Sequence, residues 1–488
     1  MNTHRLTPFF APRSIAIVGA GERATSSGGA VMQMLKIAGF KGRVVPINPK
    51  VVNPRGGEIF GYAAQPAIAD IGEPCDLCVI VIRPDAIPQA LREAAASGHR
   101  NILILPGGFA EAGPAGEARD REVREIAQQH GLTIAGPNCA GLIHLDPTWR
   151  FAATFLRDLP PGVQAGAISG AALISQSGAL AEEIIAKANQ RKLPLASVVS
   201  VGNAMHLGVE DYLEYLGAQD SIGTILLYIE SIADPEKFRA IARKVAAHKP
   251  VIAFYGGHTA VGGAAARAHT GATINDDAAI DDFCRDCGMV RVKSLRRLLV
   301  AAKAFARFPI GLGKRALVLS NSGGPGVIAA DQAGVEGLEL APLPKPFADV
   351  LRQALPPEAS IANPLDLLAD AREDRFALTF NAAMDHAAQA YDMVLMIHVV
   401  PFMVDAGPVI DTLAKLAATT KLPTMHSMMG TLPDQNKWFA AMESAGVPMF
   451  NDVEEMAEAA GLLAQYPPLQ KALASAATAA PKLKGRPA

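Results

Sequence analysis

Cysteine is scarce in this chain: five residues in 488 cannot form the framework of a disulfide-stapled fold. Two Cys-x-x-Cys pairs exist, Cys75/Cys78 and Cys284/Cys287, but they stand roughly 200 residues apart, whereas zinc ribbons place their pairs about 15–20 apart. Cys78 also opens a continuous apolar run that would point its thiol into a sheet, so no metal site is expected. Long apolar runs are missing as well. The longest uncharged ones, such as residues 78–82, are far too short to cross a bilayer. The opening residues Met1-Asn2-Thr3-His4-Arg5 lack the basic start and apolar stretch of a secretory signal. A strong charge of either sign is absent too: the net −2 offers no general attraction to nucleic acid or to an anionic membrane. Together these absences predict a cytoplasmic protein that handles small molecules, with neither a nucleic-acid nor a membrane partner.

What is present is material for buried cores. Half the residues are apolar, and a chain of this length is expected to divide into three domains. Up to about residue 145, short β-rich runs at 14–19, 43–47, 76–82, 101–105 and 132–135 alternate with helical patterns near 28–38, 84–97 and 114–130. Continuous apolar strands alternating with helices predict a parallel sheet covered on both faces. Residues 157–162 read as a linker. The alternation recurs with strands at 171–174, 196–201, 224–229, 251–254 and 289–292, and again from Arg315 through 393–397, 423–425 and 448–450. A helix near 453–465 closes the third block, and residues 474–488, mostly Ala, Lys and Pro, read as a frayed tail. The expected fold class is α/β, with three doubly wound parallel-sheet domains at 1–150, 160–308 and 314–466.

Three small glycine-rich signatures carry the chemistry. Ser175-Gln176-Ser177-Gly178-Ala179-Leu180 and Ser320-Asn321-Ser322-Gly323-Gly324-Pro325-Gly326 each follow an apolar run and open a helical pattern. Such a strand-to-helix turn presents unpaired N–H groups and the positive end of a helix dipole, which suits a phosphate. Ala268-His269-Thr270-Gly271-Ala272 closes a stretch of small residues, 260–268, expected to act as a mobile tether. A tethered histidine with two anion cradles predicts a phosphohistidine carrier. Ser177, Gly178, Ser322, Gly323 and Gly324 are then the phosphate-binding residues. His258, in Gly256-Gly257-His258-Thr259, is the rival for the carrier's place.

The first block has a different anion site. Residues 14–19 run into Ala20-Gly21-Glu22-Arg23, but Ala24 stands where a Gly-x-Gly-x-x-Gly fingerprint needs its third glycine. The turn is long and rich in hydroxyls instead, Thr25-Ser26-Ser27-Gly28-Gly29. After the second strand, Pro46-Ile47-Asn48-Pro49-Lys50 puts a lysine where an NAD site needs an acid. A cation there suits a ligand with an extra phosphate, coenzyme A or NADP.

The segments 12–19 and 47–50, with Gly108-Phe109-Ala110-Glu111 and Gly136-Pro137-Asn138-Cys139-Ala140-Gly141, resemble the coenzyme A-binding domain of the NDP-forming acyl-CoA synthetases, relatives of succinyl-CoA synthetase. The resemblance continues through residues 175–180, Ser200-Val201-Gly202-Asn203, Leu227-Tyr228-Ile229-Glu230, His269-Thr270-Gly271-Ala272, residues 320–326 and Asn363-Pro364-Leu365-Asp366, in family order over roughly residues 8 to 465. It implies a Rossmann-like CoA-binding domain followed by two flavodoxin-like domains. It also implies the reversible conversion of acyl-CoA, phosphate and a nucleoside diphosphate into acid, CoA and the triphosphate. His269 matches the family's phosphohistidine, and Glu230 the glutamate expected to hold its second ring nitrogen. Gly19, Ser26, Ser27, Gly28, Asn48, Lys50, Pro84 and Asn138 match the cofactor-binding positions for coenzyme A.

The family's ATP-grasp module finds no counterpart in these motifs, and no Gly-x-x-x-x-Gly-Lys-Ser/Thr loop replaces it. The resemblance is therefore to an α-type subunit. The implied partner is a separate ATP-grasp β subunit carrying the Mg-nucleotide, in a hetero-oligomer of α2β2 type. Two positions depart from the pattern. Phe254-Tyr255-Gly256-Gly257 lacks the family's usual lysine, and 203–207 lacks an acidic residue, although Glu210 and Asp211 follow. Two other readings stay open at this point: a CoA-binding regulatory protein of the same fold without turnover, and an NADP-dependent oxidoreductase, for which no hydride-transfer constellation is evident.

Overall fold

The computed structural model describes residues 4–50, 57–146, 148–162, 169–264, 276–420 and 422–479. Contact density divides the chain into two compact units, Met1–Leu299 and Val300–Ala488.

The first unit holds two principal sheets. The first sheet takes β1 (Ser14–Val18), β2 (Arg43–Ile47), β5 (Leu77–Ile80), β6 (Asn101–Ile104) and β7 (Thr133–Ala135) in the order β2-β1-β5-β6-β7; β3 (Glu58–Ile59) and β4 (Tyr62–Ala63) form a short hairpin beside it. All its pairings are parallel. β5 is fully buried, as a sheet with helices on both faces requires. The order reverses between β1 and β5, and that switch point is where doubly wound sheets open a crevice for ligands.

The second sheet places β10 (Gly170–Ser175), β11 (Leu195–Ser200), β12 (Ile222–Ile229), β13 (Val251–Tyr255) and β14 (Val290–Val292) in the order β14-β13-β12-β10-β11. A hairpin of β8 (Gly141–Leu145) and β9 (Arg150–Thr154) extends it, with β8 antiparallel to β11. This departs from the expected division at residue 150. The hairpin straddles that boundary, and its strands complete the second sheet, pairing Ser197 with His144 and Val199 with Leu142. Alternation of strand and helix does not signal an antiparallel hairpin appended ahead of its own sheet.

The second unit repeats the same parallel order. β16 (Leu365–Asp366), β15 (Ala316–Ser320), β17 (Met393–Val400), β18 (Thr424–Gly430) and β19 (Met449–Phe450) line up as β16-β15-β17-β18-β19. Its last helix runs Val453–Ala479, through Pro467 and Pro468, so the start of the expected frayed tail is helical. Pro467 cannot donate to the carbonyl four residues back. That carbonyl, Leu463 O, accepts instead from Leu312 N at 3.1 Å, so this acceptor is not orphaned. Residues 480–488 lie outside the described set.

One face of β17 and β18 carries two buried histidines. His398 and His426 are fully inaccessible, nearly parallel, with ring centres 6.2 Å apart, and none of their four ring nitrogens has a hydrogen-bond partner among the described residues. Burial holds His398 down to about 4 and His426 well below its ordinary value, the latter helped by the neighbouring His398. The folded state thus refuses protons that the unfolded chain binds below about 6.5, so stability is complete above that pH and falls as pH drops toward 4. Between pH 7 and 5, His398 alone is expected to remove about 2 kcal/mol. His398→Leu should flatten that loss in urea denaturation of the full chain; an unchanged pH dependence would contradict the assignment.

Candidate active site

At the switch point of the first sheet, β1 ends at Val18, and from Gly19 the chain runs through a loop to the helix Ser27–Ala38. Ser26 caps that helix: its hydroxyl accepts from Gly29 N at 3.2 Å and donates to Arg23 O at 2.7 Å. Ser27 and Gly28 follow in the first turn, where N–H groups have no intrahelical acceptor. Gly28 is glycine for a steric reason: a Cβ there would stand 2.0 Å from Gly19 O. The helix end can approach the β1 turn only without one. Asn48 holds the other side of the crevice, donating to Ala20 O at 2.7 Å and accepting from Lys50 N at 3.0 Å. Lys50 is exposed, and Pro84 opens a short 3-10 turn after β5. These cofactor-binding candidates therefore gather around one crevice edge.

Asn138, the last of them, lies where the first two sheets meet. In the left-handed region at φ 57°, it donates to Asn203 Oδ1 at 3.2 Å, and Asn203 donates to Glu111 Oε2 at 2.5 Å. The other Glu111 oxygen accepts from Gly108 N at 2.6 Å and Phe109 N at 3.2 Å. Burial works against charge on Glu111, but the bonds from Asn203 and these backbone groups outweigh it and hold its carboxyl below the ordinary range. Glu111 and Asn203 both sat in family motifs without being singled out. Only the fold shows that they touch.

In the second sheet, β10 delivers Ser175, Gln176 and Ser177 to the helix Gly178–Arg191. Ser177 caps it, accepting from Leu180 N at 3.3 Å. Ser175 Oγ donates to Ser177 O at 2.7 Å and accepts from Ser177 N at 3.2 Å, which fixes the turn. Gln176 reaches across to the end of β12. Its Oε1 accepts from Glu230 N at 2.5 Å and Ser231 N at 3.0 Å, while its Nε2 donates to Ser231 O at 2.9 Å. Glu230 is buried, 7% exposed, and one of its oxygens accepts from Tyr228 OH at 3.0 Å. The fold thus brings Ser177, Gly178 and Glu230 to one edge, joined by Gln176, whose role is not evident from the motif alone.

The second unit builds the same turn. Ser320 Oγ donates to Ser322 O at 2.8 Å and accepts from Ser322 N at 3.0 Å. Asn321 clamps the next strand, accepting from Val399 N and donating to Val399 O, both at 2.8 Å. Gln176 holds Glu230 N and both backbone groups of Ser231, whereas Asn321 holds both groups of Val399, so the first clamp includes an acid and the second a valine. Gly323 and Gly324 open the helix Gly323–Val335 and are exposed. Asp366 Oδ2 lies 3.2 Å from where a Cβ on Gly323 would be.

His269 lies outside the described residues. The described part of its expected tether, 260–264, is helical, because Thr259 accepts from Gly262 N at 3.0 Å through its hydroxyl and from Gly263 N at 2.7 Å through its carbonyl. His258 faces Asp277, Nδ1 to Oδ1 3.3 Å. Hydrogen bonds from Lys293 and Arg291 hold that carboxyl down to about 2, so the rival histidine sits in an ion-pair cluster. The five cysteines are all buried and unbridged.

Residues 13–145 match the family model of a CoA binding domain, and residues 169–305 that of a succinyl-CoA ligase like flavodoxin domain. The alpha subunit of ADP-forming acetate–CoA ligase II from Pyrococcus furiosus is 32% identical over 462 residues, covering 94% of this chain and 97% of that one. The chain belongs to the ADP-forming acyl-CoA synthetase family. Some members are longer. The chain spans 63% of ADP-forming acetate–CoA ligase I from Archaeoglobus fulgidus, at 31% identity over 94% of its own length. Among solved structures, the dinucleotide forming acetyl-coenzyme A synthetase 1 of Ca. Korarchaeum cryptofilum, in complex with phosphate and ADP, matches with a TM-score of 0.86. That match has 27% identity and covers 100% of both chains. Tyr255, where the resemblance leads to the expectation of a lysine, is buried at the end of β13.

The two kinds of glycine at these helix ends should behave differently. Gly28→Ala drives a Cβ into backbone and is expected to cost roughly 1–3 kcal/mol. Gly324→Ala meets none of the described residues within 4 Å and should leave thermal stability within about 0.5 kcal/mol. Equal melting temperatures for the two variants would remove the steric argument for Gly28.

Proposed function

We propose that this chain is the CoA-binding, phosphohistidine-carrying subunit of an ADP-forming acyl-CoA synthetase. Phosphate oxygen attacks the thioester carbonyl, the carbon–sulfur bond breaks, and CoA leaves as its thiolate to take up a proton. A ring nitrogen of His269 then attacks the phosphorus of the acyl phosphate, and the carboxylate departs. The phosphoryl group finally passes to the β-phosphate oxygen of a nucleoside diphosphate.

Each group has a task in this scheme. Ser26, Ser27, Gly28 and Lys50 hold phosphates of CoA, with Gly19, Asn48, Pro84 and Asn138 shaping the crevice around them. Glu230 accepts from the second nitrogen of His269 and so fixes the tautomer that attacks. Ser177 and Gly178 present N–H groups and a dipole end to the phosphoryl group, and Ser322, Gly323 and Gly324 do so at the second cradle. Each dipole contributes about 0.3–2 kcal/mol. The observation that carries the reading is the Gln176 side chain, which ties a helix-end anion cradle to a buried carboxylate at one sheet edge.

The nucleotide, with its Mg ion, belongs in this scheme to an ATP-grasp β subunit, in an α2β2-type assembly. Support comes from the alpha-subunit name of the Pyrococcus furiosus relative and from the extra length of the Archaeoglobus fulgidus one. Exposed apolar side chains near the second cradle, Val327 and Ile328 on its helix and Phe402 and Met403 after β17, suit a covered surface. Acetate, named for these relatives, is the first acid to try.

Incubation with acetyl-CoA and phosphate, followed by intact-mass measurement away from acid, should show one added phosphoryl group. His269→Asn should abolish it while CoA binding persists, and His258→Asn should keep it. The reverse pattern would move the carrier to His258. Lys50→Ala should weaken CoA more than dephospho-CoA in calorimetric titration; equal losses would place Lys50 away from the 3′-phosphate.

A further inference from the structure

Glu230 alone does not define a productive geometry, because a carboxylate at a strand end can rotate. Among the described residues, these contacts limit it. Gln176 fixes its backbone through the amide pair described above, and Tyr228 OH reaches one carboxylate oxygen at 3.0 Å. Burial, reinforced by the adjacent Glu230 charge, pushes the Tyr228 phenol up, so it stays protonated and donates.

The Tyr228 ring is itself held from β13. Tyr228 and Phe254 are register partners, and their rings meet edge-on with centres 5.3 Å apart. Two residues on, Gly256 N donates to Ile229 O at 2.8 Å, which brings the Gly256 backbone against the Tyr228 ring. A Cβ on Gly256 would stand 2.8 Å from Tyr228 OH, 3.3 Å from its Cζ and 3.5 Å from Cε2. The hydroxyl therefore occupies the space that any side chain at 256 would claim. The second unit keeps the clamp but has Val399 in the corresponding place, with no acid to orient.

We propose that Tyr228 is a positioning residue for the histidine step, seated by the missing side chain at Gly256 and acting through Glu230. This rests on the function proposed above, in which Glu230 orients His269. Fixing the carboxylate rotamer fixes the imidazole, and a misplaced nucleophile loses rate without losing substrate affinity.

Two measurements test it, one of them independent of turnover. In thermal denaturation, Gly256→Ala should lower the melting temperature by about 2–4 °C in the natural background and much less in a Tyr228→Phe background, where no hydroxyl needs the space. The same loss in both backgrounds would overturn the seating of Tyr228, whatever the protein catalyses. In rapid-quench phosphorylation of the full chain with acetyl-CoA and phosphate, Tyr228→Phe should lower the maximal rate about 5–20-fold and leave the half-saturating acetyl-CoA concentration unchanged. Gly256→Ala should do the same, and the double variant should be no slower than either single one. An unchanged maximal rate in Tyr228→Phe, or multiplied losses in the double variant, would overturn the positioning role. Absence of phosphoenzyme in the natural protein would instead count against the proposed function, with the denaturation result still deciding the geometry.

Discussion

One side-chain amide holds the candidate centre together. Gln176 leaves the turn between Ser175 and Ser177 and bonds three backbone groups of Glu230 and Ser231. Remove it, and the cradle at the start of one helix and the carboxylate at the end of the adjacent strand keep the β10–β12 pairing and the Gln176 N bond to Tyr228 O at 3.1 Å but lose the side-chain tie. Each such bond is worth only about 0.5–1.5 kcal/mol net. Their value here is geometric: three bonds from one planar group leave little freedom for the strand end to slide against the helix end. Ser175 pins the turn on one side, and Tyr228 pins the carboxylate on the other.

The second unit shows what this constraint does and does not specify. Asn321 repeats the clamp on Val399, and Ser320 repeats the pinning of the turn. The same local sequence, serine–amide–serine–glycine after a buried strand, therefore builds the same turn twice. The chemistry differs because the clamped residue differs. Where the first cradle has Glu230, the second has a valine, and its helix end has Asp366 beside Gly323. A carboxylate at that helix end shares the dipole with any phosphate that arrives, whereas Glu230 is held back at the strand terminus by Tyr228 and Gln176. Within the proposed reaction, this asymmetry assigns histidine orientation to the first cradle alone.

Much of this was legible beforehand, and for identifiable reasons. Buried parallel strands are continuous apolar runs, so the strands bearing Ser175 and Ser320 stood out, as did the glycines that open their helices. The β8–β9 hairpin did not, because its pairing with β11 spans some 55 residues and leaves no periodic trace. The helix through Pro467 ran against the usual reading of proline as a stop. Leu312, distant in sequence, takes the carbonyl that proline leaves unpaired. Gln176, Asn203 and Glu111 were visible as motif letters, but their roles depend on which loops the sheets bring together. Gly256 read only as part of the segment 254–257 that lacks the lysine expected from the resemblance. Its meaning emerges only beside the Tyr228 hydroxyl.

The central claim is that acyl-CoA and phosphate suffice to load this chain with a phosphoryl group. Its most direct test is a single-turnover assay of the purified chain with excess acetyl-CoA, reading free thiol on addition of phosphate. The account predicts a burst of about one equivalent of CoA per chain, matched by acid-labile protein-bound phosphate and then no further release. Thiol release without bound phosphate, or no release at all with CoA demonstrably bound, would contradict it.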